Sequence, residues 1–161
     1  MDFAYNDEQK EIIKVVRDLV EKEIVPYASE MDETGKLHEG LLEKLAAQGL
    51  LGVAIPEEFG GAGLDAITIA AIYEELGKGC AGVATTVAAN ALASYPVIIA
   101  GNDDQKKRYF DIINEDNLAA FALTEPGTGS DAGSVMLGRE KAVILPFWWL
   151  RAGVINGQGQ E

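Results

Sequence analysis

The sequence predicts a mainly α fold, a helical domain over residues 1–117 followed by the beginning of a β-domain at 118–134. Three observations predict it. Apolar residues recur at helical spacing from Ile12 to Ile113, capping residues, glycines and prolines punctuate that pattern, and one short apolar run, LAAFALT at 118–124, has the length of a strand. With 161 residues and 48% hydrophobic content, the chain can bury one packed domain and start a second.

Residues 6–25 read as an amphipathic helix. Asn6 can cap it, Gln9 stands where a capping box needs a reciprocal side chain, and Ile12, Val16 and Leu19 recur at helical spacing beside Ile13, Val20 and Ile24. Pro26 lacks an amide donor and is expected to kink or end that run. A second helix is expected over 38–49, with Leu41, Leu42, Leu45 and Ala46 inward and Gly49 at its C-terminal end. The connection IPEEFGGAGLD, 55–65, carries Gly60, Gly61 and Gly63. No strand-to-helix dinucleotide context follows it, so a turn is expected there rather than a phosphate cradle. Asp65 reads as the cap of a third helix reaching about Leu76.

From Gly82 to Ala100 the chain is almost uncharged and rich in Ala, Val and Thr, the texture of a helix buried on most of its surface, with Pro96 expected to bend it. Asp103 is expected to cap a further helix, DDQKKRYFDIIN, with Tyr109, Phe110, Ile112 and Ile113 inward. The strand over Leu118–Thr124 leads to a tight loop at Glu125–Asp131. After Ser134 the composition changes abruptly, and both tryptophans, Trp148 and Trp149, fall in that stretch. No internal repeat or low-complexity linker interrupts the chain.

A net charge of −13 argues against nucleic acid and against an anionic membrane surface, both of which are bound through clustered Lys and Arg. Cys80 is the only cysteine and His38 the only histidine, which rules out an intrachain disulfide and a Cys/His metal cluster. The opening MDFAYNDEQK is polar and acidic, unlike a secretory signal, and no stretch reaches the roughly 18 uninterrupted apolar residues of a spanning helix. A reduced, cytoplasmic protein without membrane insertion is expected.

The segment with chemical content is FALTEPGTGSDAGS, 121–134. Pro126-Gly127 favours a tight turn, and Gly129 permits close approach of backbone to a ligand. Amides near Thr128, Gly129 and Ser130 can form an anion-favouring concavity, and the hydroxyls of Thr124, Thr128 and Ser130 add donors. Spacing alone favours an ordinary Pro-Gly hairpin loop.

ALTEPGTGSDAGS resembles the first signature of the acyl-CoA dehydrogenase family, with Thr128 standing where that pattern usually has Gly, Ala, Ser or Asn. IPEEFGGAGLD, YEELGKGCAGV and YPVIIAGNDDQKKRYF resemble successive family segments, so the likeness covers roughly residues 1–134 in the right order. It implies a flavoprotein that oxidises acyl-CoA thioesters to trans-2-enoyl-CoA, with FAD as cofactor. A glutamate removes the α-proton while the β-hydride passes to the flavin, and fixed donors stabilise the enolate-like charge. It also implies an electron-transfer flavoprotein as acceptor and a homotetramer.

Carried over residue by residue, the resemblance places Phe121, Ala122, Leu123 and Thr124 at the flavin ring, with Thr124 as a donor near N5. Gly129 and Ser130 match the turn that meets the flavin, and Ser130 is expected to touch substrate as well. Thr85, Ala88 and Leu92, at i, i+3 and i+7 on one helix face, match positions lining the acyl-chain pocket; core packing would explain any one of them equally well.

The family's catalytic glutamate belongs to a C-terminal domain, so no catalytic residue is expected in this chain. Ile72-Tyr73-Glu74 echoes the sequence around that base only superficially, and Glu74 reads as a solvated helix residue. Residues 135–154 match nothing in the family, although Ile155-Asn156-Gly157-Gln158 resembles one of its hairpins; a frameshift or premature end is the simplest account of this divergent tail. The expectation is therefore a truncated enzyme, inactive alone. The alternatives are a non-catalytic helical interaction module, or an acyl-CoA oxidase or flavin N-hydroxylase on the same scaffold.

Overall fold

The computed structural model describes residues 4–114, 117–121, 123, 124, 126–134 and the backbone of 152–155. Six α-helices precede the first strand among these residues: α1 (Asp7–Leu19), α2 (Ala28–Thr34), α3 (Leu41–Ala47), α4 (Ala66–Gly79), α5 (Ala81–Ala100) and α6 (Asp103–Ile113). β1 (Leu118–Phe121) pairs antiparallel with β2 (Ala152–Ile155), Leu118 facing Ile155 and Phe121 facing Ala152. The tail expected to diverge thus supplies the partner of the first strand. The rest of 135–161 lies outside the described residues.

The capping box at Asn6 forms as its sequence requires. Asn6 Oδ1 accepts from the Gln9 amide at 2.8 Å, and the Gln9 side chain accepts from the Asn6 amide at 3.0 Å. Gln9 also reaches across to α4, donating to Thr68 Oγ1 at 3.1 Å. Asp65 caps α4 by accepting from the amides of Ile67 and Thr68 at 2.8 and 3.1 Å and from the Thr68 hydroxyl at 2.7 Å, which hold its carboxyl below the usual range.

Pro26 does not end the first helical run. The chain widens into a π-helical turn at Val20–Ile24, tightens into a 3₁₀ turn at Val25–Tyr27 that absorbs the missing donor, and continues as α2. Gly79 at the end of α4 lies against that π turn: a methyl group there would stand 2.5 Å from Val20 Cγ1. The second helix is shorter than the 38–49 expected, because Gly40 and Gly49 both adopt the left-handed region at φ 75° and 70°.

Three further expectations are corrected. α6 is capped one residue early: Asn102, with Gln105, builds a second reciprocal capping box, leaving Asp103 in the first turn. Ile112 is 43% exposed rather than inward, since Tyr109, Phe110 and Ile113 already fill the stripe facing the core. β1 stops at Phe121, so Leu123 and Thr124 lie beyond the strand.

Among the described residues, two apolar clusters hold the domain. The larger joins Val16, Val20, Ile24, Leu41, Leu45, Ile72, Leu76, Val83 and Val87. The smaller joins Ile55, Ala93, Val97, Tyr109, Phe110, Ile113 and Ala119, with Phe59 and Phe121 at its edge. α5 contributes to both. It is long and apolar enough to cross a bilayer by length and composition, at mean hydropathy 1.5, yet its inner face is the spine of these two clusters. It is not buried on most of its surface: Leu92, Tyr95 and Ile99 are 51%, 43% and 82% exposed.

One charged group is drawn into the α1–α4 seam. Glu75, 5% exposed, receives both Arg17 donors at 3.0 and 2.9 Å and Lys78 Nζ at 2.7 Å. The Arg17 hydrogen bond leads in holding its carboxyl down at about 2, below an ordinary value of 4.5. A carboxyl depressed by folding stabilises the fold above its unfolded pKa and loses that contribution as pH falls through the folded one. Thermal stability is therefore expected to fall between about pH 4.5 and about pH 2. Water reaches Arg17, which is half exposed, so the contribution is on the order of 1–2 kcal/mol. Glu75→Gln should flatten that part of the Tm-against-pH curve; an unchanged acid limb would show that Glu75 does not contribute.

Candidate functional site

The two glycine-bearing loops differ in what their amides do. In the 55–65 loop the amides are spent on backbone: Gly60 donates to Glu57 at 2.9 Å, Gly61 to Pro56 at 3.2 Å, Ala62 to Gly52 at 3.1 Å, Gly63 to Ile55 at 2.8 Å and Leu64 to Val53 at 3.1 Å. It is a folded turn whose three glycine amides are all spent on backbone carbonyls.

The loop after β1 is built differently. Phe121 closes the strand and packs against the smaller cluster, which fixes where the chain leaves the helical domain. Leu123 and Thr124 then emerge exposed, as do Pro126, Gly127, Gly129 and Ser130. Among the described residues, the amides of Gly129 and Ser130 have no backbone acceptor. The Thr128 hydroxyl is buried without a hydrogen-bond partner, although Thr128 is the position that departs from the family pattern. A methyl group on Gly127 or Gly129 would meet no atom within 4 Å. The Asp131 carboxylate is engaged by the Ser134 hydroxyl, and the Ser134 amide donates to the Asp131 carbonyl at 3.0 Å, closing the turn Ala132–Ser134. Ala122 lies outside the described residues.

Thr85, Ala88 and Leu92 share the outer face of α5. Thr85 and Leu92 are exposed and Ala88 is half-buried, so packing among the described residues does not account for Thr85 and Leu92. The Thr85 hydroxyl is turned back onto its own helix, donating to the Ala81 carbonyl at 2.8 Å. α5 packs directly on β1, so this face and the loop belong to adjoining elements.

Neither glutamate on α4 suits a base for a weakly acidic C–H. Glu74 is exposed and paired with Lys78 at 3.1 Å, and Glu75, held at about 2 by Arg17 and Lys78, is a poor proton acceptor. These two residues border a charged cleft of about 310 Å³ between α1 and α4, shared with Lys10, Lys14, Arg17 and Lys78, which contains none of the flavin- or acyl-facing candidates. His38 stacks on Tyr27 at 3.5 Å, and Cys80 packs against the larger cluster.

Residues 6–114 match the family described as "Acyl-CoA dehydrogenase, N-terminal domain". The chain belongs to the acyl-CoA dehydrogenase family. It is 42% identical over 132 residues to a 3-(aryl)acrylate reductase of Clostridium sporogenes, covering 80% of this chain and 35% of that one. Butyryl-CoA dehydrogenase from Megasphaera elsdenii is 33% identical with a TM-score of 0.72, over 84% of this chain and 37% of the other. An acyl-CoA dehydrogenase from Bacillus anthracis, solved with FAD, is 37% identical with a TM-score of 0.70, over 81% and 23%. The chain thus spans about a third of the length of the curated relatives it matches.

Sequence reasoning passed over Asn90. The signal that could have found it was a carboxamide in the middle of an almost wholly apolar helix, where an unpaired polar group would be costly.

Proposed function

We propose that this chain supplies one wall of the flavin- and acyl-facing site of an FAD-dependent enzyme that converts acyl-CoA thioesters to trans-2-enoyl-CoA. The observation that carries the reading is the exposed loop after β1, where the family signature coincides with amides at Gly129 and Ser130 that meet no backbone acceptor among the described residues, and with a buried Thr128 hydroxyl that has no hydrogen-bond partner. Backbone at Phe121–Thr124 and the hydroxyls of Thr124 and Ser130 would hold the cofactor ring, and Ser130 would also meet the thioester arm. When bound, FAD supplies the acceptor for the hydride equivalent removed from the acyl β-carbon.

Within this chain the work is binding and orientation. The loop's amides and hydroxyls favour developing negative charge at fixed positions, without reorganisation during the reaction. Thr85, Ala88 and Leu92 would guide the acyl chain along α5. The proton-abstracting glutamate comes from outside the described residues, and an electron-transfer flavoprotein is the proposed acceptor. The 42% identity to an arylacrylate reductase favours a second reading, the same chemistry run towards saturation.

The test is a FAD titration followed by quenching of flavin fluorescence. Gly129→Val is expected to weaken binding at least about tenfold by blocking close approach, with Tm nearly unchanged because a side chain there starts in open space. Equal affinity of the two chains would remove the loop from the flavin site. Turnover of butyryl-CoA against reduction of an arylacrylate, with the complete polypeptide, separates the two directions.

A further inference from the structure

Asn90 lies in the middle of α5 and is fully buried, at 0% exposure. Its carboxamide is used from both ends. Nδ2 donates to the Leu51 carbonyl at 3.1 Å, and Oδ1 accepts from the Ala119 amide at 2.5 Å. Its own carbonyl accepts from Ser94 Oγ at 2.7 Å, and that hydroxyl lies 3.4 Å from the Tyr109 hydroxyl on α6. One side chain therefore joins three segments distant in sequence: the 3₁₀ turn Leu50–Gly52, the core helix and the first strand.

An apolar residue of similar size would fill the space but leave a buried donor and a buried acceptor unpaired, which is the expensive outcome for groups shut away from water. Position matters as much as burial. Ala119 stands four residues before Leu123, where the exposed loop begins, and Asn90 lies between Ala88 and Leu92 on the same helix with its side chain on the opposite, inner side. Apolar packing of Ala119 and Phe121 can hold β1 against α5, but it does not select one position along the helix; a directed hydrogen bond does.

We propose that Asn90 is a positioning residue that fixes the register of β1 on α5, and thereby sets the loop Leu123–Ser130 relative to the outer face carrying Thr85, Ala88 and Leu92. The functional weight of this inference rests on the flavin reading of that loop.

Site-resolved amide exchange on Asn90→Ala and Asn90→Asp separates the clamp from general stability. Alanine removes both bonds, and the Ala119 amide is expected to exchange roughly 10- to 100-fold faster relative to amides of α1 and α4. The carboxylate introduced by N90D keeps an acceptor for the Ala119 amide and loses the donor to Leu51. Relative to amides of α1 and α4, and at a pH where the introduced carboxyl is ionised, N90D should therefore hold Ala119 protection within about threefold of the unsubstituted chain while the Leu50–Gly52 turn loosens. A uniform rise in exchange across helices and strand in N90A, or equal loss at Ala119 in both variants, would overturn the proposal. Should N90A fail to fold, the N90D contrast between Ala119 and the Leu50–Gly52 turn decides alone. In the FAD titration N90A is expected to bind about tenfold more weakly and N90D to recover most of that loss. An unsubstituted chain with no affinity for FAD would refute the flavin reading, and the exchange pattern would still judge the clamp.

Discussion

Replacing Gly61 with alanine is expected to cost about 3 kcal/mol or more, a fall in Tm on the order of 10 °C in a thermal melt. A Cβ at that position would stand 2.1 Å from the Ile55 carbonyl oxygen and 2.3 Å from Ile55 Cβ. The first of these is backbone and cannot rotate away. The same carbonyl accepts from the Gly63 amide at 2.8 Å, so retreating from the methyl group breaks a ladder of turn bonds that also includes Ala62 to Gly52 and Leu64 to Val53. Ile55 is 1% exposed in the smaller cluster, which carries the strain towards Phe110 and Ala119. Gly77→Ala is the control. It lies inside α4 with only Ala84 Cβ at 4.0 Å, so it should be neutral or stabilise by about 0.5–1 kcal/mol through helix propensity. A Gly61→Ala chain that melts with the unsubstituted one would show that the loop is not packed as described.

Phe110→Ala is expected to destabilise by about 3–5 kcal/mol, read as a shift in the urea midpoint. The ring is 1% exposed, stacks on Phe59 at 5.0 Å and meets Tyr109 edge-on at 5.1 Å. Its cluster also holds Ala119, so the cavity opens beneath β1 and should speed exchange of strand amides ahead of those in α1. Against a usual total of about 5–15 kcal/mol, such a loss brings the domain close to its threshold. Ile112→Ala, two positions along the same helix but 43% exposed, should change stability by no more than about 0.5 kcal/mol. If both variants behaved alike, the assignment of the inward stripe would be wrong.

Local chemistry was legible in the sequence, whereas properties set by neighbouring segments were not. Asn6-x-x-Gln9 and Asp65 announce caps because capping depends on atoms three residues away, and both form. Asn102-x-x-Gln105 carries the same signal and was passed over for the aspartate beside it. The continuation past Pro26 was hidden because a π turn followed by a 3₁₀ turn depends on what packs against it, here Gly79. Composition suggested that α5 is buried on most of its surface, since apolar character does not reveal which side a neighbouring segment covers. At the candidate site, the signature marks where the loop lies. The bonds Asn90 makes to Leu51 and Ala119 span 39 and 29 residues and leave no periodic trace.

The two-sidedness of α5 bears on how such a protein can change over evolutionary time. Val83, Val87 and Val97 are committed to internal packing, where even a methylene matters, whereas Thr85 and Leu92 on the same helix are exposed among the described residues and carry no such constraint from them. Mutations on that outer side can accumulate at little thermodynamic expense to the scaffold. A lineage could therefore explore new ligands there without first having to re-solve its folding problem.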